Sequence, residues 1–148
     1  MSLFGNNGIF VKDKTRNVEK VLTIAAGGFV RGDVTKEGQQ GGARFVSESI
    51  ATGIYANVVL PDGAVITSVE SFADVDTILV SLVRWDYNYG AGIGWHLVPI
   101  GTTNTPEYVY QKGFVDNDKY IYILRVYDID VGEKFYSAKI YYTIKEMI

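Results

Sequence analysis

The feature that most restricts this chain is a two-residue alternation that returns, segment after segment, from Ala43 to its last residues. In "KYIYILRVY" (119–127), Ile121, Ile123 and Arg125 fall on one face of an extended strand, and Tyr120, Tyr122, Leu124 and Val126 on the other. In "FYSAKIYYTI" (135–144), Tyr136, Ala138, Ile140, Tyr142 and Ile144 share a face, with Ser137, Lys139, Tyr141 and Thr143 opposite. One apolar and one mixed face is the pattern of an antiparallel sheet with a wet side. A helix needs apolar residues three and four apart, and no window of a dozen residues has that spacing.

The same reading extends upstream. "KVLTIAA" (20–26) reads as a first strand, and Gly27–Gly42 as a long loop with at most a short strand. "ARFVSES", "GIYANVVL", "AVITSVESF" and "TILVSLVRW" follow as strands, the last of them mostly buried. Pro61-Asp62-Gly63 separates two of them as a turn: proline presets φ, Asp bonds to backbone, and Gly accepts positive φ. "HLVPI" and "EYVYQ" are shorter, and Pro99 puts the first at a sheet edge. Eleven Tyr and seven Phe against three Pro suit pleated, half-buried surfaces. The expectation is one all-β domain: a single antiparallel β-sandwich of jelly-roll type, eight to nine strands, little or no helix, with a small barrel as the alternative. Residues 1–19 lack a period and read as an N-terminal arm, and 20–148 as the β-sandwich domain.

"LTIAAGGFV", followed by "YANVVLPDGAVITSVE" and "ILVSLVRW", resembles a recurrent domain type of bacterial, phage-associated and surface-exposed proteins. The resemblance covers about residues 21–143 of the chain. It implies a jelly-roll-like module and supplies no catalytic residues.

Several functions find no support in the residues. A net charge of −3 gives no general attraction to nucleic-acid phosphates. The absence of cysteine excludes disulfides, thiolate metal sites and cysteine nucleophiles. "MSLFGNNGIFVKDKTRN" lacks a basic start and an unbroken apolar core, so export by the general secretory route is not expected. No apolar stretch approaches the ~18 residues that span a membrane. The glycines of "YGAGIGWH" do not make a dinucleotide loop, because a strand-like segment with a proline follows where that loop needs a helix. Arg31-Gly32-Asp33 matches an integrin-binding tripeptide but reads better as an ordinary turn.

Three candidate groups remain. His96 is the sole histidine, suited to acid–base chemistry but without a visible nucleophile or second metal ligand, and reads as structural. The carboxylates recur in pairs: Asp74 and Asp76, Asp116 and Asp118, and Asp128 and Asp130 with Glu133. The last set has the oxygen chemistry for Ca²⁺, yet all three fall where hairpin turns are expected, and Asp favours turns unaided. Trp85, Tyr87, Tyr89 and Trp95 surround one glycine-rich connection beside His96, as rings do at protein interfaces, at sugar sites, or over an open core. The functional expectation is a non-enzymatic, cofactor-free structural protein that self-assembles as a homo-oligomer, with a trimer one expected form. It would work with other particle or surface proteins in a virion (capsid, decoration or tail) or cell-surface assembly. It would be made in the cytoplasm, with no nucleic-acid partner and no membrane insertion. The alternative is a carbohydrate-binding module that uses the rings of residues 85–96 on a glycan.

Overall fold

A computed structural model of the protein describes residues 14–31, 38–40, 44–47, 52–86, 94–109 and 113–147. Among them the one helical element is a 3-10 turn at Ala26–Gly28. The first strands in chain order are β1 (Thr15–Ala25), β2 (Val30–Arg31), β3 (Gly38–Gln40), β4 (Phe45–Ser47), β5 (Thr52–Val58) and β6 (Val65–Ala73). They are followed by β7 (Leu79–Asp86), β8 (Gly94–His96), β9 (Gly101–Thr102), β10 (Glu107–Tyr108), β11 (Tyr120–Ile129) and β12 (Lys134–Met147). These strands make two antiparallel sheets in a sandwich-like arrangement. One runs β10-β6-β12-β4-β3, with β1 also paired to β12; the other runs β2-β5-β11-β7-β8, with β9 also on β7.

Two long strands organise the whole. β11 lies between β5 and β7, so Leu124 is opposite both Ala56 and Leu82, and all three are buried. β12 takes β6 along one edge, and β1 and then β4 along the other. The inward residues are those that alternation demands: Ile54, Ala56 and Val58 on β5; Val80 and Leu82 on β7; Tyr122, Leu124 and Val126 on β11; Ala138 and Ile140 on β12. Phe29 and Phe135 close one side of this core edge to face, with ring centroids 5.1 Å apart.

Strict alternation fails where a bulge shifts the register. Between Phe135 and Ser137, β12 spends an extra residue against Ala73–Phe72 of β6. Phe135 therefore takes the buried position, and Tyr136 is exposed although its period groups it with Ala138. A second bulge puts the extra residue, Thr67, in β6, where its hydroxyl donates to the Tyr141 carbonyl at 3.1 Å. The sheet also starts earlier than the sequence period suggests. Residues 15–19, read above as part of the arm, pair with Thr143–Met147, because the long partner strand templates residues that have no pattern of their own.

The Pro61-Asp62-Gly63 turn forms as its composition requires. Ala64 N–H donates to the Pro61 carbonyl and Gly63 has φ of 83°. The turn is tied to the segment before β11: Gly63 N–H donates to Val115, Val115 N–H to Ala64, and Asn117 N–H to the Asp62 carboxylate. One end of the sandwich thus gathers this turn, residues 113–119, the end of β7 and the tip of the β1–β12 ribbon.

Candidate functional site

The aromatic connection starts at this same end. Trp85 stands beside Ile121 on the outward face of the second sheet and is half-buried. Its indole Nε1 is shielded from solvent and, among the described residues, has no hydrogen-bond partner. Tyr87 and Tyr89 lie outside the described residues; the backbone of Trp95 pairs with Arg84 in β8, but its side chain is also outside them. The structure therefore brings Trp85 and His96 onto adjacent strands.

His96 sits opposite Val83, and its Nδ1 is 2.7 Å from the Ser81 hydroxyl. A hydroxyl against an imidazole is the geometry of a nucleophile and its base. Ser81, however, has no exposed surface at all, so no substrate atom reaches its oxygen. The pair satisfies a buried hydroxyl on β7 and a half-buried imidazole on β8, as such groups require. Sequence reading missed Ser81, and its one signal was a hydroxyl in the middle of the apolar run "ILVSLV".

Three of the candidate carboxylates, Glu133, Asp74 and Asp116, accept backbone N–H groups, and Asp76 accepts from the Asn104 side chain at 2.6 Å. Glu133 accepts the Asp130 N–H at 2.8 Å through one oxygen and the Thr77 hydroxyl at 3.5 Å through the other, while Glu133 N–H returns to the Asp130 carbonyl. Gly132, with φ of 82°, closes that hairpin, and Asp128, with φ of 62°, occupies a bulge of β11. Asp74 accepts the Lys134 N–H, and Asp116 accepts the N–H of Asp118. Among the described residues no three His, Asp or Glu side chains are grouped to hold a metal; Asp130 and Glu133 shape the hairpin turn, and Asp128 the bulge that precedes it.

The same end carries two hollows. One, of about 320 Å³, is lined by Asn57, Val59, Tyr120 and Ile121; Arg84 lies 4.3 Å over the Tyr120 ring beside it. The other is a cleft of about 630 Å³ between the Pro61–Val65 turn, Phe114 and the β12 residues Thr143, Ile144 and Lys145. Between the two hollows Tyr122 anchors the loop: its hydroxyl accepts from Asp116 N–H at 2.9 Å and donates to the Phe114 carbonyl at 3.1 Å. Burial pushes the Tyr122 phenol above its ordinary pKa of 10.0, outweighing the lowering effect of the Asp116 hydrogen bond. Among the residues that line the two hollows, three large apolar side chains are open to solvent: Val59 at 79 %, Phe114 at 58 % and Ile121 at 46 %.

No family model matches the chain, and no curated protein matches it either.

Proposed function

We propose that the sandwich is a jelly roll and that the protein is a non-enzymatic structural subunit that assembles with copies of itself. The jelly-roll reading is supported by the order β1-β12-β6-β10 in one sheet and β5-β11-β7-β8 in the other. From β5 the chain passes to β6 and back to β7, and from β10 to β11 and back to β12, so consecutive strands change sheets. The assembly in view is a virion component (capsid, decoration or tail) or a cell-surface array.

The observation that carries the assembly reading is the open apolar rim of Val59, Phe114 and Ile121 at one end of the sandwich. Side chains of this kind grouped on one surface are what a partner covers. Sedimentation velocity over a series of concentrations tests it: the wild type is expected to form oligomers, and a folded Val59→Asp/Phe114→Asp variant to stay monomeric. A wild type that remains monomeric up to high concentration overturns the reading. The second reading, a glycan site on residues 85–96, is favoured by the partly exposed Trp85 at this end. Glycan-array binding lost in a folded Trp85→Ala variant would put it first.

A further inference from the structure

The first sheet is complete along β12 only as far as Thr143. β6 begins at Val65, opposite Thr143, so Ile144–Met147 have β1 on one side and, among the described residues, no strand on the other. The gap is a notch four residues long, about 13 Å at ~3.3 Å per residue. It opens into the 630 Å³ cleft, with Thr143, Ile144 and Lys145 as its edge, Pro61–Val65 and Phe114 as its far wall, and Asn17 of β1, opposite Lys145, also lining it. An edge of this kind presents backbone N–H and C=O groups that pair with an extended segment, while apolar walls receive its side chains.

We propose that Ile9-Phe10-Val11 of a second copy occupies this notch as an added strand on β12. The inference rests on the self-assembly reading and gives that contact a place and a partner segment. Ile9–Val11 is the longest apolar run among the residues that precede Lys14, and its β-branched and aromatic side chains suit a strand. The segment also joins the fold at the right point: β1 starts at Thr15, opposite Met147, at the tip of the ribbon that borders the notch. A second copy, rather than the same chain, fits the distances. β1 and the notch lie on opposite edges of β12, about 9.6 Å apart at ~4.8 Å per strand. From Thr15 back to Val11 is four residue steps, about 14 Å at full extension; the sideways crossing takes about 9.6 Å of it and leaves under about 5 Å for rising over the end of β12 and descending on its far side. A neighbour's segment enters without that crossing.

The chain has no cysteine, which makes cross-linking a direct test. A Phe10→Cys protein and a size-tagged Lys145→Cys protein are mixed and oxidised, with Phe10→Cys against Thr23→Cys, on the exposed face of β1, as control. The expected result is a covalent heterodimer in the first mixture and not in the control. Deleting residues 1–13 is then expected to reduce the oligomer without unfolding the sandwich. Oligomers without the Phe10–Lys145 cross-link would overturn this occupant and leave the assembly reading standing. A cross-link formed only within one chain, in the double variant, would assign the notch to the chain's own arm and overturn the inference. Monomer throughout would remove both.

Discussion

From Phe135 to Thr143, β12 has neighbours on both edges, and its inward residues Phe135, Ala138 and Ile140 have no exposed surface. From Ile144 to Met147 the same strand has β1 alone, Ile144 is half-buried and Met147 is 64 % exposed. Both stretches carry apolar residues, so composition does not separate them. What separates them is the opposite sheet. β5 and β11 end at Val58 and begin at Tyr120, so beyond Tyr142 the ribbon has little left to pack on. The inward row then changes character: Lys20 follows Leu22 on β1, and Glu146 follows Ile144 on β12.

The comparison is broken most directly by truncating one side chain in each half. Phe135→Ala removes a fully buried ring that packs on Phe29 and is expected to cost about 3–5 kcal/mol in urea denaturation. Ile144→Ala, already half in solvent, is expected to cost about 1 kcal/mol by the same measurement. Equal losses would mean that the ribbon is as firmly part of the core as the strand's first half.

Tyr122 tests the boundary between the two regions, since its hydroxyl ties the core of β11 to the cleft loop at Phe114 and Asp116. Tyr122→Phe leaves the Phe114 carbonyl and the Asp116 N–H without that partner, at an expected cost of about 1–2 kcal/mol. The alkaline limb carries a second signature. With the folded pKa raised by burial, the unfolded chain loses this proton first, so the stabilising term is full below pH 10 and fades as pH rises through the folded value. Stability profiles of wild type and Tyr122→Phe should therefore run parallel below pH 10 and converge above it. Parallel curves throughout would show that the phenol is not buried when folded.

The strand pattern was legible in the sequence because alternation reports burial on one face, and β5 and β11 up to its bulge follow it residue by residue, whereas β7 is buried on both faces from Val80 to Val83. The bulges at Tyr136 and Thr67 were not, since an extra residue is fixed by the partner strand and leaves no mark on the period. Pairing across distance was equally hidden. Asn104, at φ 65°, accepts the Ala73 N–H and donates to the carbonyls of Ala73 and Val75 and to Asp76, filling a place beside the end of β6 from thirty-one residues away in the case of Ala73. Nothing in "GTTNTPE" distinguishes it from any turn asparagine. Of the candidate site, the turn role of the carboxylates could be read from Asp and Gly spacing. The cleft could not, because it is made by β6 starting four residues short of the end of β12.

The smallest effect belongs to the ribbon's own ion pair. Lys20 Nζ lies 3.5 Å from Glu146, reaching across the Val18–Ile144 row, and the two side chains are 42 % and 38 % exposed. Water and counter-ions reach both groups, so the attraction is worth about 0.5 kcal/mol at low salt. At 1 M salt, where the screening length falls to about 3 Å, it should vanish. Glu146→Gln is therefore expected to lower stability slightly in dilute buffer and not at all in high salt. Lys20 also stands opposite Tyr142 in the ribbon, and the methylene chain of a lysine shields apolar neighbours whatever the ionic strength. Lys20→Ala should consequently cost more than Glu146→Gln at every ionic strength. A loss in Glu146→Gln that persists at high salt would mean the ribbon is held by a desolvated polar contact, and the division of β12 into a packed half and an open half would have to be redrawn.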